Sequence, residues 1–524
     1  MTARTLQLAA GVPRALIDSR SLLTAILLVL GLVEFVIHLA GLINHDSAWL
    51  LYGTGRMLEG ARLYLDIVEV NPPLIFYLSV PPVLAARFLD LPVVDLFVLY
   101  IFALAAGSLA LTREVMRSLP IEQAPLRRML LVAAFFGLIV LPGPVLGQRE
   151  HLVTILGLPY LVLVAVRSDG RDVSRRLAVV CGLAAGLAFS IKPPLLVVPA
   201  LLELYLFIVR RPRILLFRPE TLALAAAVSA YILSIVLFTP EYLTFIVPMA
   251  VMTYHAYETT WPIVLGRVET LLLPIAIALV FLTRDRRAAS RLNDAFLITA
   301  LCAYVFYVIE RKGWQYQVYP VDAMLMLLVG VSLTRALWRH DTYTSREARW
   351  VRPAFLVVVL LVGLGVSAAA RGNYRNSMTT VMTPYVRENA AHGGFAVLSA
   401  HVVWGFPLTV YAGVDWNMRL PALWMVPGLI RARATARGPA PELDRLERYV
   451  IDAVVEDFAR HPPDVVLVDA RQQKTYFGGL AFDYLAFFSR DPRFRQVWQD
   501  YRLDISEPWF QIYRRRANGS NRSE

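Results

Sequence analysis

The residues best suited to chemistry stand directly after the first long apolar segment. Leu22 to Leu42 is followed by the run INHDS, so His45 and Asp46 lie just past the end of the apolar helix. A carboxylate there can act as a general base toward an incoming hydroxyl group. The alternative interpretation is structural, because aspartate is common at helix N-caps and a helix over 47–60 would begin here.

Three further segments place acids, bases and amides between apolar stretches. Each segment also has a structural alternative. In the order given below, these are helix ends whose charges neutralise each other, a lysine whose ammonium reaches the membrane interface, and an interfacial aromatic belt with anchoring charges. The segments are GQREH (147–151) with Arg149 and Glu150, IKPP (191–194) with Lys192, and ERKGWQYQVYP (310–320) with Arg311, Lys312, Trp314 and Gln317.

Lysine is rare in this chain, and its positions stand out for that reason. Of 52 basic residues only three are lysines, at 192, 312 and 474. Weaker candidates are Asp66 in the loop after Asp46, and His255 and Glu258 in TYHAYETTW (253–261), which the structural alternative places on a surface loop.

The composition is that of a membrane protein. The chain is 57% hydrophobic and 18% charged, and apolar runs of transmembrane length recur from Leu22 to Ala370. The net charge of +12 does not indicate nucleic-acid binding, because the arginines cluster in short connections between spans. Both cysteines lie within apolar spans, which argues against a disulfide framework.

The hydropathy pattern predicts a polytopic α-helical protein with about eleven transmembrane helices. The predicted spans are 22–43, 94–112, 129–146, 151–166, 177–191, 195–209, 220–238, 263–283, 293–309, 318–334 and 353–370. Two segments decide the topology. Residues 72–89, which contain four prolines, are predicted to lie at the membrane interface without crossing. Residues 178–209 are predicted to form two short helices broken at Lys192-Pro193-Pro194, next to a cavity.

The arginine distribution predicts which side each connection faces. Six basic connections hold 24 arginines, whereas the alternating connections 44–93, 147–150, 192–194, 239–262 and 310–317 hold seven basic residues. The positive-inside rule places the first set in the cytoplasm and the candidate residues on the outer face. The sequence thus predicts a transmembrane module over 1–370 and an extracytoplasmic α/β domain over 371–524. In that domain, strands are predicted at 393–400 and 462–470, a helix at 440–461 and a hairpin over 494–515.

The quoted motifs resemble those of integral-membrane glycosyltransferases of the GT-C superfamily, a group that includes protein O-mannosyltransferases and aminoarabinose transferases. The resemblance covers roughly residues 20–335. It rests on an acid after the first helix, the stretch GARLYLD (60–66), the Pro-Pro of NPPLIFYL, and the later segments GQREH, GLAFSIKPP and RKGWQYQVYP. The sequence departs from many relatives in having Arg-Glu at the second site and Gln317 where a histidine is frequent.

The resemblance implies a GT-C fold and transfer of a sugar from a polyprenyl-phosphate donor to an envelope glycan, lipid or protein in a bacterial inner or plasma membrane. It gives Asp46 the role of general base, with Glu150 as second catalytic residue. Lys192, Arg149, Arg311 and Lys312 would bind the donor phosphate, and His45, Asp66, His255, Glu258, Trp314 and Gln317 the substrates. Whether Glu150 holds a divalent cation stays open, as do the sugar and the stereochemical outcome.

Two other functions are compatible with parts of the pattern. A transporter or flippase of lipid-linked sugar would carry polar residues through the middle of its helices and often repeated halves, and the sequence has few such residues and no clear repeat. A scaffold that binds cell-wall glycan would need only anchoring helices, and eleven predicted spans exceed that need.

The charge pattern generates a test of topology. A reporter that is active only in the cytoplasm, fused after Arg515, should be silent, because the 24-to-7 split of basic residues places 371–524 outside. An active reporter would show that the span count is wrong and that the candidate residues face the cytoplasm.

Overall fold

A computed structural model describes residues 20–210, 217–283, 291–338 and 347–516. Contacts within the chain divide it into two units. The first unit comprises Met1–Gly41, Ala85–Leu233 and Thr259–Tyr374, and the second comprises Leu42–Leu84, Ser234–Glu258 and Arg375–Glu524. Much of the first predicted outer loop is therefore grouped with the C-terminal segment, which the sequence did not indicate.

Most of the described chain is α-helical. The helices are α1 (Arg20–Ala40), α2 (His45–Leu58), α3 (Leu74–Leu89), α4 (Val93–Met116), α5 (Ala124–Phe135), α6 (Arg149–Ser168), α7 (Arg175–Ile191), α8 (Val197–Arg210), α9 (Pro219–Phe238), α10 (Val247–Thr253), α11 (Trp261–Leu265), α12 (Val268–Thr283), α13 (Leu292–Glu310), α14 (Tyr319–Trp338), α15 (Glu347–Arg371), α16 (Ser377–Asn389), α17 (Leu408–Ala412), α18 (Met425–Ala434), α19 (Ala440–Arg460), α20 (Tyr484–Phe488) and α21 (Pro492–Trp498).

The chain is an integral membrane protein with many apolar helices. In the described ranges, eight helices are long and apolar enough to span a bilayer: Ser21–Ala40, Val93–Met116, Arg149–Ser168, Pro193–Arg210, Pro219–Phe238, Leu292–Glu310, Gln315–Arg335 and Arg352–Arg371. Shorter apolar helices include Leu74–Leu89 and Val268–Thr283. Eleven spans, and the interfacial position of 72–89, stay predictions.

Two helices form the interior of the first unit. Within the spans of α6 and α14, 89% of the residues are buried, whereas none of those in α1 are. Helix α6 packs against α4, α7 and α13. Side chains at the starts of α6 and α14 are therefore held by helices that are surrounded by protein rather than by lipid.

The predicted break between two helices is confirmed. Helix α7 ends at Ile191, Lys192 adopts a non-helical conformation with φ −132° and ψ 86°, and a short 3₁₀ turn over Pro193–Leu196 leads into α8. Both prolines lack a backbone N–H, and the residue before a proline is disfavoured in the helical conformation. The two consecutive prolines thus end α7 at the lysine.

A four-stranded sheet forms the core of the C-terminal part of the second unit. Its strands are β1 (Phe395–Leu398), β2 (Val465–Asp469), β3 (Tyr501–Ser506) and β4 (Phe510–Arg515), in the order β1-β2-β4-β3. Strands β1 and β2 are parallel, and β4 is antiparallel to both β2 and β3. The strands and the long helix predicted from the sequence are confirmed.

The predicted hairpin over 494–515 is wrong in its first part. Residues 492–498 form α21, because Asp491 caps the helix by accepting a hydrogen bond from the backbone N–H of Arg493, and Pro492 occupies the first helical position. The hairpin itself begins at Tyr501.

Candidate functional site

A buried cluster of charges lies in the first unit around Lys192. The lysine Nζ donates hydrogen bonds to Glu150 Oε1 at 2.8 Å and to Glu310 Oε2 at 3.2 Å. The side chains of Lys192 and Glu150 are 7% and 2% exposed. Because isolated charges are costly to bury, the two carboxylates and the ammonium stabilise one another in this interior.

Local backbone features bring these side chains together. Gly147 has φ +72°, and a Cβ there would lie 2.3 Å from a ring atom of Phe97, so glycine is required before α6 begins. The turn places Glu150 in the first turn of α6. Lys192 lies at the break after α7, and Glu310 is the last residue of α13.

His151 supports the same turn. The backbone N–H of Gly147 donates to His151 Nδ1 at 2.9 Å, so the opposite ring nitrogen, Nε2, carries the proton and donates to the carbonyl of Leu138 at 2.9 Å. Within GQREH, Gly147 and His151 therefore form the turn, Gln148 is the N-cap of α6, and Arg149 and Glu150 are the charged pair.

Gln317 extends the cluster from the next helical segment. It lies in the 3₁₀ turn Gln315–Val318 that precedes α14, and its Nε2 donates a hydrogen bond to Glu310 Oε2. Two buried acceptors of the cluster, Glu150 Oε2 and Gln317 Oε1, have no hydrogen-bond partner among the described residues. Buried polar atoms are normally paired, so both are available to a ligand that donates hydrogen bonds.

Two more cations complete the cluster. Lys312 interacts electrostatically with Glu310, Lys192, Arg149 and Glu150, and burial lowers its pKa to about 8 although Glu310 acts in the opposite direction. Its ammonium lies 5.0 Å from the ring centre of Trp314. The five charged groups are the cations Lys192, Lys312 and Arg149 and the carboxylates Glu150 and Glu310. When all five are charged, the cluster has one positive charge in excess and suits an anion.

Arg311 has a different environment from its neighbour Lys312. The backbone of Arg311 adopts a left-handed conformation at the end of α13, and the Arg311 guanidinium lies 4.8 Å from the ring centre of Trp261. The backbone carbonyl of Arg311 accepts a hydrogen bond from Thr259 N at 2.7 Å. These contacts anchor the loop, and a phosphate-binding role for Arg311 stays a prediction.

Asp46 lies in the second unit, in the first turn of α2. The interpretation of Asp46 as the N-cap is wrong, because Asn44 is the cap and its side chain accepts a hydrogen bond from the backbone N–H of Asp46 at 2.9 Å. His45 Nε2 lies 3.6 Å from Asp46 Oδ1, and the two side chains are 29% and 39% exposed. The carboxylate is therefore accessible and is not needed as the cap.

Glu69 holds the loop that follows α2, and the sequence reasoning did not single it out. Its Oε2 accepts a hydrogen bond from Trp49 Nε1 at 2.7 Å, and its Oε1 accepts from the backbone and the side chain of Asn71 at 3.0 and 2.7 Å. A single buried acid thus ties α2 to the Asn-Pro-Pro run. The available signal was an acid within the otherwise apolar stretch Ile67–Val70.

The other predicted substrate-binding residues of the second unit lie at or near its surface. Asp66 pairs with Arg62 at 3.1 Å, and hydrogen bonds from that arginine hold the pKa of Asp66 below its usual value although burial acts to raise it. Glu258 is exposed, and burial together with nearby arginines lowers the pKa of His255. Their roles in binding stay predictions.

The surroundings of Glu150 do not suit a divalent cation. Lys192 already binds one of its oxygens, and Arg149 and Lys312 lie close enough to repel a metal ion. Within the described ranges, no group of three or more His, Cys, Asp or Glu side chains is arranged to hold a metal.

Comparisons with known proteins find similarity in structure rather than in sequence. No model of a known protein family and no curated protein sequence matches the chain. The fold is similar to that of ArnT from Cupriavidus metallidurans in the apo state, with a TM-score of 0.55 at 12% identity, covering 94% of this chain and 97% of that one.

Two further solved structures match less closely. The arabinofuranosyltransferase AftD from Mycobacteria gives a TM-score of 0.47 at 13% identity, covering 95% of this chain and 40% of that one. The Archaeoglobus fulgidus oligosaccharyltransferase gives 0.43 at 14% identity, covering 94% of this chain and 73% of that one.

Proposed function

The chain has the fold of GT-C membrane glycosyltransferases, and on that basis we propose that it transfers a sugar from a lipid-linked donor. The donor is a polyprenyl-phosphate sugar, and the acceptor is a glycan, lipid or protein of the cell envelope. The reaction takes place on the extracytoplasmic face of a bacterial inner or plasma membrane.

The observation that supports the proposal best is the buried cluster around Lys192. Its excess positive charge matches the single negative charge of a sugar phosphodiester, and lysines bind phosphate as point charges. The two buried acceptors, Glu150 Oε2 and Gln317 Oε1, suit hydroxyl groups of a sugar next to that phosphate.

In the proposed reaction, the acceptor hydroxyl oxygen attacks the anomeric carbon of the donor sugar. Asp46 accepts the hydroxyl proton, and the bond between the anomeric carbon and the phosphate oxygen breaks. Polyprenyl phosphate leaves with the bonding electron pair. The cluster stabilises the charge that develops on the departing phosphate.

Glu150 has a positioning role in this scheme. Its carboxylate is 2% exposed and hydrogen-bonded to Lys192, so it holds the lysine in place rather than taking a proton from the acceptor. No metal ion is assigned to Glu150, because Lys192, Lys312 and Arg149 supply the positive charge there.

The charges of the Lys192 cluster and of the buried Asp322–Arg371 pair lie at helix ends, which favours transfer over transport, although Glu203 lies midway along α8. Glu150 and Asp322 lie in the first turns of α6 and α14, whereas Glu310 and Arg371 end α13 and α15. A transporter is expected to place such groups midway along its spans. Charges at helix ends suit a reaction near the membrane surface.

The base assignment is tested with Asp46→Asn. Purified protein is given a panel of polyprenyl-phosphate sugars, and release of polyprenyl phosphate is measured. Wild type should use one donor, and the variant should lose about 10²–10⁴-fold in rate, since general-base catalysis contributes that much and asparagine cannot take the proton. Folding should be retained, because Asn44 is the N-cap.

Glu150→Gln is the companion variant, and its loss should be smaller. Near-wild-type turnover by Asp46→Asn together with an inactive Glu150→Gln protein would reverse the two assignments. If no donor in the panel is cleaved by wild type, the proposed activity itself fails.

Lys312 generates a prediction about pH. Its pKa of about 8 means that the ammonium is charged below that pH and neutral above it, so the net charge of the cluster falls from +1 toward zero as pH rises. A sugar phosphodiester loses no proton in this range. Donor affinity should therefore weaken between about pH 7 and pH 9.

Lys312→Arg is the matched control, because arginine stays charged throughout that range. Its donor affinity should depend less on pH than that of wild type. A wild-type affinity that is constant from pH 7 to pH 9, or a Lys312→Arg profile identical to that of wild type, would remove Lys312 from donor binding.

A further inference from the structure

A polar cavity lies within the second unit, next to the C-terminal half of α2, whereas Asp46 lies in the first turn of that helix. It has a volume of about 770 Å³ and is bordered by Tyr52 and Arg56 of α2, Asp415 and Arg419 of the loop between α17 and α18, and Arg460 and His461 at the end of α19. Pockets for small ligands measure roughly 300–1,000 Å³, so the cavity can hold several sugar rings.

Hydrogen bonds hold the walls of this cavity in place. Tyr52 Oη accepts from the backbone N–H of Trp416 at 2.8 Å, which joins α2 to the loop that carries Asp415. The Arg419 carbonyl accepts from Val68 N at 2.7 Å, and Arg419 Nε donates to Asp457 Oδ1 of α19 at 2.9 Å. The cavity is thus formed before any ligand arrives, as in most small-ligand sites.

The charges around the cavity are balanced. Arg419 is neutralised by Asp457 and Glu456, at 2.8 and 2.9 Å, and Arg460 lies 3.6 Å from Glu456. The positive charges of Arg56, Arg460 and Arg515 are offset by the negative charges of Glu59, Asp66 and Asp415 on the same walls. A site for a polyanion would present charges of one sign, which this cavity does not.

Carboxylates and guanidinium groups on the same walls suit an uncharged ligand that is rich in hydroxyls. Carboxylates accept hydrogen bonds from hydroxyl groups, and a guanidinium presents several donors in a fixed plane. Helix α2 carries Asp46 in its first turn and Arg56 ten residues later, about 15 Å along the axis at 1.5 Å per residue. A ligand in the cavity is therefore bound by the helix that carries the proposed base.

From this geometry we propose that the cavity binds a neutral oligosaccharide, the body of the acceptor. The role of this oligosaccharide as the acceptor rests on the proposed function, whereas its binding in the cavity does not. Substrate specificity would then reside in the second unit, in residues that take no part in donor recognition.

The test is a binding measurement on the full-length protein without donor. Hexasaccharides of glucose, mannose and arabinose serve as neutral probes, and a galacturonic acid hexasaccharide is the acidic comparison. At least one neutral probe should bind, and Arg460→Ala and Asp415→Ala should each weaken its affinity about tenfold or more, since charged groups make the stronger hydrogen bonds. Both residues are exposed, so the variants should fold.

Arg445→Ala is the matched control. Arg445 is exposed on the same helix as Arg460 but does not border the cavity, and its substitution should leave the affinity unchanged. The proposal is overturned if no neutral probe binds, if both cavity variants bind as wild type does, or if only the acidic probe binds.

A turnover assay separates this proposal from the proposed function. Once a donor is found, Arg460→Ala should raise the acceptor KM and leave the slow hydrolysis of donor by water unchanged. If wild type cleaves no donor but binds a neutral hexasaccharide in the cavity, the activity fails and the binding site stands. If donor is cleaved and Arg460→Ala leaves the acceptor KM unchanged, the binding site fails and the activity stands.

Discussion

The buried ion cluster of Lys192, Glu150 and Glu310 is the constraint on which the first unit depends. A lysine that is 7% exposed inside a membrane protein requires compensating charge, and two carboxylates within 3.2 Å provide it. The requirement fixes the start of α6, the break between α7 and α8, and the end of α13 with respect to one another. It also explains why the chain, which uses arginine almost throughout, has lysine at this position. The compact ammonium can be shared by two carboxylates in a narrow interior, whereas a guanidinium needs a larger planar site.

A comparable buried acid organises the start of the second unit. Glu69 joins Trp49 of α2 to Asn71, and the Asn44 side chain accepts a hydrogen bond from the backbone N–H of Asp46 in the first turn of the helix. Close packing adds to this, because a Cβ on Gly53 would lie 2.9 Å from the Phe76 ring. Helix α2 is thus held by its cap, its neighbour α3 and one buried carboxylate, while the Asp46 side chain stays partly exposed. The residues that position the helix are therefore distinct from Asp46, the proposed base, whose side chain stays 39% exposed.

The sequence predicted those features that depend on local chemistry. The break at Lys192 follows from two consecutive prolines, and the strands and the long helix of the second unit follow from hydrophobic periodicity. Features that depend on distant partners were missed. Glu310 stands 118 positions from Lys192, and although the segment ERKGWQYQVYP that it opens was singled out, the acid itself was not among the candidates. The structural alternative for Asp46 named it, rather than Asn44, as the cap of α2, because both residue types favour the position and the expected helix start at residue 47 was two residues too late. The grouping of the first loop with the C-terminal segment depends on contacts across more than 300 positions, such as that between Tyr52 and Trp416.

The proposed binding of a donor phosphate by the Lys192 cluster is tested most directly by measuring the affinity of the protein for undecaprenyl phosphate in lipid nanodiscs. This probe carries the phosphate and the lipid without the sugar, so no knowledge of the physiological donor is needed. Lys192→Gln, in which glutamine can still donate a hydrogen bond to Glu150, should bind about 10–100-fold more weakly, since hydrogen bonds to charged groups contribute about 1.5–3 kcal/mol. Lys192→Arg, which keeps the charge, should retain part of the affinity. A Lys192→Gln protein that is folded and binds the probe as tightly as wild type would show that the Lys192 cluster does not bind the donor phosphate.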